Sequence, residues 1–213
     1  MNYSIIIVAG GKGERMGLGY NKVFFQLKEG MTVLDTSLQI FLEDERCKQI
    51  VIVTNQDDLQ RIVVEHEMGR IVNVGGGPTR QQSVFNGLMC VTEDVVLVHD
   101  AARPYLPIEA LDRLIEALET EDAAILAVPI KDTIKEVKDD YIVSTVNRAS
   151  MRHAQTPQGF KTKLLLQCMH KARKDDFTGT DDAQLIEKYT DIKVRIVHGS
   201  YANIKITTLD DIK

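Results

Sequence analysis

Cysteine is scarce in this chain of 213 residues: Cys47, Cys90 and Cys168 stand far apart, with no C-x-x-C spacing. An odd, scattered set excludes a disulfide framework or a zinc site and fits reduced thiols. Positive charge is not in excess either. Lys and Arg together number 26 against 31 Asp and Glu, a net charge of −5, which argues against non-specific nucleic-acid binding as the main activity. No apolar run approaches membrane-spanning length, and no basic region precedes a long apolar segment at the start. The expectation is therefore a soluble, cytoplasmic protein with no membrane partner. Internal repeats, low-complexity tracts and Pro- or Ser-rich linkers are lacking too, so one domain over residues 1–213 is the simplest division.

What is present is apolar material in regular bursts. Apolar residues make up 44% of the chain, enough for a sizeable core. Runs over residues 3–9, 49–54, 71–74, 95–99, 123–128 and 194–197 read as strands. Amphipathic stretches lie between them, such as Leu111, Leu114, Ile115 and Leu118 at helical spacing. Alternation of this kind implies an α/β fold with a mostly parallel sheet covered by helices on both faces. One stretch departs from it. Residues 132–137 and 142–146 read as two strands around the charged turn Lys138-Asp139-Asp140-Tyr141. A lone hairpin is marginal in water, so it should pack on something else, a second subunit being the natural candidate. A solvent-exposed flap is the alternative. The last residues, Thr208-Leu209-Asp210-Asp211, read as a cap and the first turn of a helix.

The sharpest chemical signal follows the first strand. Ile5-Ile6-Ile7-Val8-Ala9 breaks into Gly10-Gly11-Lys12-Gly13-Glu14-Arg15-Met16-Gly17, with Lys22 shortly after. Backbone N–H groups in such a loop form an anion-binding concavity, and glycines let a polyphosphate reach them. Arg15 and Lys22 place two cations beside it. A dinucleotide fingerprint is excluded because the segment from Gly11 is one residue too long. It would also need an acid at the end of a second strand, whereas Asp35 lies where a helix starts. A Walker loop is excluded because no glycine is followed by Lys-Ser or Lys-Thr. The plain alternative is a strand–turn–helix joint with incidental charges.

A second glycine loop, Gly75-Gly76-Gly77-Pro78-Thr79-Arg80-Gln81-Gln82-Ser83, follows another strand and enters a helix. Arg80 suits bidentate phosphate contact and Ser83 can hydrogen-bond a ligand. In Val98-His99-Asp100-Ala101-Ala102-Arg103-Pro104, an acid closes a buried strand, where it needs a cation. Mg²⁺ commonly takes one or two carboxylates and completes its shell with water and substrate phosphates, so Asp100 is the metal candidate. His99 should face the other way and be structural. Lys205, inside the alternating run from Tyr201 to Thr207, reads on pattern alone as an edge-strand or solvent-facing lysine. Asp181 and Asp182 suit a helix N-terminus.

In order, these segments, with Lys131-Asp132-Thr133-Ile134-Lys135, Arg148, Gln155-Thr156-Pro157-Gln158 and Asn203-Ile204-Lys205, resemble the 2-C-methyl-D-erythritol 4-phosphate cytidylyltransferases. The resemblance spans almost the whole chain. It implies a Rossmann-like sheet of nucleotidyltransferase type with a protruding β-hairpin arm at residues 132–147 through which two copies dimerise. It also implies condensation of CTP with a polyol phosphate, with Mg²⁺ on Asp100. Arg15, Lys22, Arg148 and Lys205 would then be catalytic. Ala9, Gly10, Gly11, Gly13, Gly77, Arg80, Ser83, Asp100 and Ala101 would bind the nucleotide. Lys205 would orient the attacking phosphate, Thr133 and Arg148 would reach it from the partner subunit, and Arg103, Thr180 and Asp181 would contact the polyol. Departures from the family pattern are Asn21, where many members have Pro, and Thr79 and Ala202, where many have an acid. A ribitol-5-phosphate cytidylyltransferase and a catalytically silent nucleotide-binding regulator are the competing readings.

Overall fold

A computed structural model describes residues 1–11, 16–62 and 69–212. In chain order the strands are β1 (Tyr3–Val8), β2 (Gln26–Lys28), β3 (Met31–Thr32), β4 (Cys47–Thr54), β5 (Ile71–Gly75) and β6 (Val95–Asp100). They continue with β7 (Ala123–Pro129), β8 (Ile134–Lys138), β9 (Tyr141–Val146), β10 (Arg152–Lys161) and β11 (Arg195–His198). The helices are α1 (Val33–Glu43), α2 (Arg80–Leu88), α3 (Ile108–Ala117), α4 (Thr162–Lys174) and α5 (Ala183–Tyr189).

Three consecutive isoleucines in β1 are all fully buried, which only a strand with a packed layer on each face allows, because successive side chains point to opposite sides. Ile5 and Ile7 join the core built with α1 and α3, through Leu38, Phe41, Leu111 and Leu114. Ile6 joins the opposite core, built with α2, α4 and α5 through Val84, Leu165, Met169 and Ile186. Each such isoleucine contributes roughly 2 kcal/mol of burial. The seven-stranded sheet runs β11-β7-β10-β6-β1-β4-β5. β1 pairs in parallel with β4 and β6, β4 with β5, and β7 with β11. The mostly parallel, doubly covered sheet is thus as expected.

Local chemistry explains the helix starts. Thr32 and Asp35 form a reciprocal capping box at α1, so Asp35 belongs to a helix rather than to a ribose-binding strand end. Thr79 caps α2 by accepting the Gln82 N–H, which places Arg80 and Ser83 in the first helical turn rather than in the glycine loop. A short 3-10 turn at Leu209–Asp211, capped reciprocally by Thr208 and Asp211, occupies the expected helix start near the end of the chain.

Three features differ from the sequence reading. β10 was not expected; it runs antiparallel between β6 and β7. Its polar stretch Gln155-Thr156-Pro157-Gln158 hides a strand whose pairing with β7 shifts register between Ala154 and Gln158, and apolar periodicity cannot find it. The short β2–β3 ribbon was not expected either. The run around Lys205 is no strand: Ser200 to Thr208 is irregular, with the Ile206 N–H bound to the Ala102 carbonyl. Asn203 and Ile206 turn inward, both fully buried, while Ile204 and Lys205 turn outward, a spacing of three that breaks the two-residue alternation of the sequence. The β8–β9 hairpin is present, paired from Ile134↔Val146 to Lys138↔Tyr141.

Candidate active site

The carboxyl ends of β1, β4, β5 and β6 converge on one side of the sheet, and loops leaving them enclose a cavity of about 290 Å³. Gly10 and Gly11 form one wall, Gly77 and Arg80 another, and Lys22, Asp100 and Lys205 the floor and rim. Strand ends of a parallel sheet are where open α/β folds bind ligands.

Asp100 is the centre. Its Oδ1 accepts from Arg80 Nε at 3.2 Å, its Oδ2 from Lys205 Nζ at 2.7 Å, and Arg103 Nε lies 3.9 Å from Oδ2. Burial alone would raise its pKa, but Arg80 and Lys205, with Arg103, hold the carboxyl well below the usual carboxylate range. The Asp100 backbone N–H donates to Thr156 Oγ1 at 3.0 Å, so β10 fixes the strand end. Among the described residues no group of three or more His, Cys, Asp or Glu comes together as a metal site. A single ionised carboxylate at the cavity is still the donor that Mg²⁺ uses alongside substrate phosphates.

Arg80 is clamped from behind. Its Nη1 donates to Asp182 Oδ2 at 2.8 Å, and Asp182 is 1% exposed. Burial pushes the Asp182 carboxyl up from its ordinary value, and Arg80 offsets part of that rise. Gln158, in β10, holds the same corner: its Oε1 accepts the N–H groups of Asp182 and Ala183, and its Nε2 donates to Asp181 Oδ2. Gln155 in turn binds the backbone of Ser200 and Asn203. The polar residues of β10 therefore tie together three loops of the site. Sequence reasoning gave Asp182 only a place at a helix N-terminus and Thr156 and Gln158 only a place in the family motif, and assigned none of them a part in the site.

The second glycine loop is packed tightly at Gly77, whereas Gly11 in the first has open space beside it. A Cβ on Gly77 would fall 2.1 Å from Gln82 Cγ, so no other residue fits there without displacing α2. The Gly77 N–H donates to Ser83 Oγ, whose own hydrogen goes to the Thr79 carbonyl. Ser83 here braces the loop. Ala9 and Ala101 are buried beneath the glycine loop, their N–H groups bound to the carbonyls of Val53 and Val8. Lys22 is buried, its Nζ donating to the Ile206 carbonyl at 2.6 Å; the segments carrying Lys22 and Lys205 thus meet. His99 faces away, as expected, between the Arg103 carbonyl and Thr156 Oγ1. Its burial lowers its pKa to about 4, so it is neutral.

The remaining candidates lie elsewhere. Gly13 and Arg15 fall outside the described residues. Thr180 is exposed and bound to Gln184, and Asp181 caps α5 by accepting the Gln184 N–H at 3.0 Å. Arg103 donates to the Asn203 carbonyl. Thr133 and Arg148 sit exposed at the base of the hairpin, Arg148 donating to the Lys131 carbonyl. Neither lines the cavity.

Glycine backbone beside fixed cations and a charged carboxylate suits transfer of a nucleotidyl group between phosphates, where charge must be neutralised and no covalent enzyme intermediate is needed. That class is the nucleotidyltransferases, and comparison with known proteins narrows it. Residues 3–213 match the family model described as IspD, 2-C-methyl-D-erythritol 4-phosphate cytidylyltransferase, and the chain belongs to that family. A protein of that name from Bacillus licheniformis is 42% identical, covering 100% of this chain and 93% of its own length. The crystal structure of 4-diphosphocytidyl-2C-methyl-D-erythritol synthase from Anaerococcus prevotii superposes with a TM-score of 0.87 at 36% identity, covering 99% of this chain and 92% of that one. That of the Francisella tularensis cytidylyltransferase gives 0.85 at 32% identity, covering 100% and 97%.

Proposed function

We propose that the chain condenses CTP with 2-C-methyl-D-erythritol 4-phosphate to give 4-diphosphocytidyl-2-C-methyl-D-erythritol and pyrophosphate, a step of non-mevalonate isoprenoid synthesis. The observation that carries this reading is the Asp100 cluster: one carboxylate held by Arg80 and Lys205 beneath a glycine loop. Three free cysteines and the absence, among the described residues, of any helix long and apolar enough to cross a membrane accord with an enzyme of the cytoplasm.

An oxygen of the acceptor phosphate attacks the α-phosphorus of CTP. The new P–O bond forms as the bond between the α-phosphorus and its bridging oxygen breaks, and pyrophosphate leaves with that electron pair. Both reactants are anions, so the protein's task is to bring them together and neutralise charge that grows on the triphosphate. Gly10, Gly11 and Gly13 offer N–H groups to the triphosphate, and Gly77, Arg80, Ser83, Ala9 and Ala101 shape the rest of the nucleotide pocket. Lys22 and Arg15 stabilise the transition-state charge. Lys205 exchanges its ion pair with Asp100 for the acceptor phosphate, and Asp100, still held by Arg80 at Oδ1, would offer Oδ2 to Mg²⁺. The cation, when bound, neutralises triphosphate charge. Arg103, Thr180 and Asp181 border the polyol.

Thr133 and Arg148 come from a second copy in this reading. The support is the hairpin's composition: Val137 and Ile142 pair across the ribbon at 57% and 64% exposure, apolar surface that a lone two-stranded ribbon leaves without a partner.

The test is pyrophosphate release with CTP and Mg²⁺, comparing methylerythritol phosphate with ribitol 5-phosphate. Release dependent on methylerythritol phosphate is expected. Preference for ribitol phosphate would move the acceptor, and CTP binding without release from either would make the chain a regulator.

A further inference from the structure

Lys22 lies on a 3-10 turn (Lys22–Phe24) rather than on a strand or an α-helix. Something outside the turn must therefore fix its position. The residue before it supplies three hydrogen bonds. Asn21 is 5% exposed; its Nδ2 donates to the Ala9 carbonyl at 2.6 Å and to Asp58 Oδ2 at 3.0 Å. Its Oδ1 accepts the Val23 N–H at 3.3 Å. Both amide hydrogens and the amide oxygen are thus engaged, and a flipped amide would turn its oxygen toward two acceptors. The orientation is fixed by chemistry.

The partners are informative. Ala9 begins the glycine loop, and its carbonyl also accepts from Thr54 Oγ1 at the end of β4. Asp58 belongs to a second 3-10 segment (Gln56–Arg61), directly after β4. The same segment touches the first turn again, with the Arg61 guanidinium 4.5 Å above the Phe24 ring and 3.7 Å from Asp58. Asn55 and Gln56, at its start, lie against Gly10 and Gly75, within 3.2 Å and 3.0 Å of where a Cβ would sit. One short segment after β4 therefore bears on both glycine loops and on the Lys22 turn.

We propose that Asn21 is a positioning residue for the reaction, locked by Asp58, and that the pair holds the Lys22 turn in register with the start of the glycine loop. The side chain does with hydrogen bonds what a proline ring would do by restricting the backbone at the same place. Asp58 contributes a charge-assisted bond, of the stronger kind. The inference rests on the role given to Lys22. Wild-type enzyme that releases no pyrophosphate would break that reading, whereas active enzyme with indifferent variants would break this one.

The experiment is a double-mutant cycle with Asn21→Ala, Asp58→Ala and the pair combined. It reads kcat for pyrophosphate release, KM for CTP, CTP-binding stoichiometry and thermal unfolding. Each single variant is expected to lower kcat about tenfold, as for a modest misplacement of a catalytic group. The stoichiometry of CTP binding should stay at one per chain, which a merely less folded enzyme would not maintain. The double variant should match the worse single one, because the two side chains act as a unit. Asp58→Asn keeps an acceptor oxygen and loses the charge; it should cost only about threefold and so recover most of the activity lost in Asp58→Ala. If Asn21→Ala does not fold, the two Asp58 variants carry the same comparison. Unchanged kcat in them, or a double variant whose loss is the product of the two single losses, would overturn the proposal.

Discussion

The cavity at the strand ends and the β8–β9 hairpin are built on opposite principles. In the cavity every described charged group has a partner within the chain: Asp100 has Arg80 and Lys205, and Asp182 has Arg80. Its Asp100 closes a strand, β6, whose residues are all buried. In the hairpin the reverse holds. Val137, Tyr141, Ile142 and Val143 are all more than half exposed, and Thr133 and Arg148 stand in solvent at its base. A charged pocket stays in place because its ions hold one another in a low-dielectric surround. An apolar ribbon is an unfinished surface whose stabilisation comes from whatever covers it. The difference teaches that one region should function from contacts within a single chain, and the other only in an assembly.

The sharpest way to break the comparison is to remove a cation from the cavity. Lys22→Ala should lower kcat by about 10³-fold, with circular dichroism and the melting transition showing a folded protein. A loss of only a few-fold would mean that the cavity is not where charge develops. Asp182→Ala comes next. It leaves Arg80 partly buried without its rear clamp, and the expected cost is roughly 10- to 100-fold in kcat/KM for CTP. Asp182→Asn, which still accepts the Arg80 hydrogen bond, should lose much less. Replacing Tyr141 and Ile142 together by Ser should act differently. Sedimentation should show dissociation to monomers while CTP still binds stoichiometrically, with turnover reduced about tenfold or more as Thr133 and Arg148 are withdrawn. A monomeric variant with full turnover would erase the contrast between the two regions.

A separate effect is on stability. His99 is buried and neutral, with a pKa lowered from 6.5 to about 4. The unfolded chain binds its proton first, so stability falls as the pH drops from about 6.5 to about 4 and then levels off with respect to this group. The loss is on the order of 3 kcal/mol for a shift of this size. It should appear as a lower melting temperature at pH 4.5 than at pH 7, with a flatter profile in His99→Gln.

The same contrast explains what could be seen in the sequence. Six strands and the two covered faces were legible because burial selects apolar runs such as Ile5-Ile6-Ile7, and the hairpin because the charged turn Lys138-Asp139-Asp140-Tyr141 separates its two runs. Gly10, Lys22, Gly77, Arg80 and Asp100 were legible because phosphate chemistry restricts residue type at strand ends. What could not be read was the polar scaffolding. Thr156, Gln158 and Asp182 act through hydrogen bonds to residues tens of positions away, and no local period records such partners. Lys205 misled for a related reason: Ile204 and Ile206 alternate with polar residues in the sequence, so the pattern resembled an edge strand, whereas Ile204 turns out and Ile206 in. Asn21 stood out only as a departure until its bonds to Ala9 and Asp58 gave it a place.

The central claim is that each active site joins a self-contained cavity of one chain to the arm of another. Mixing an Arg148→Ala chain with a Lys22→Ala chain tests it most directly, since each is impaired alone and only the mixed dimer has a site holding both residues. With random exchange half the dimers are mixed and each has one intact site, so about a quarter of wild-type pyrophosphate release should return. No recovery in a dimer shown to be mixed would contradict the account.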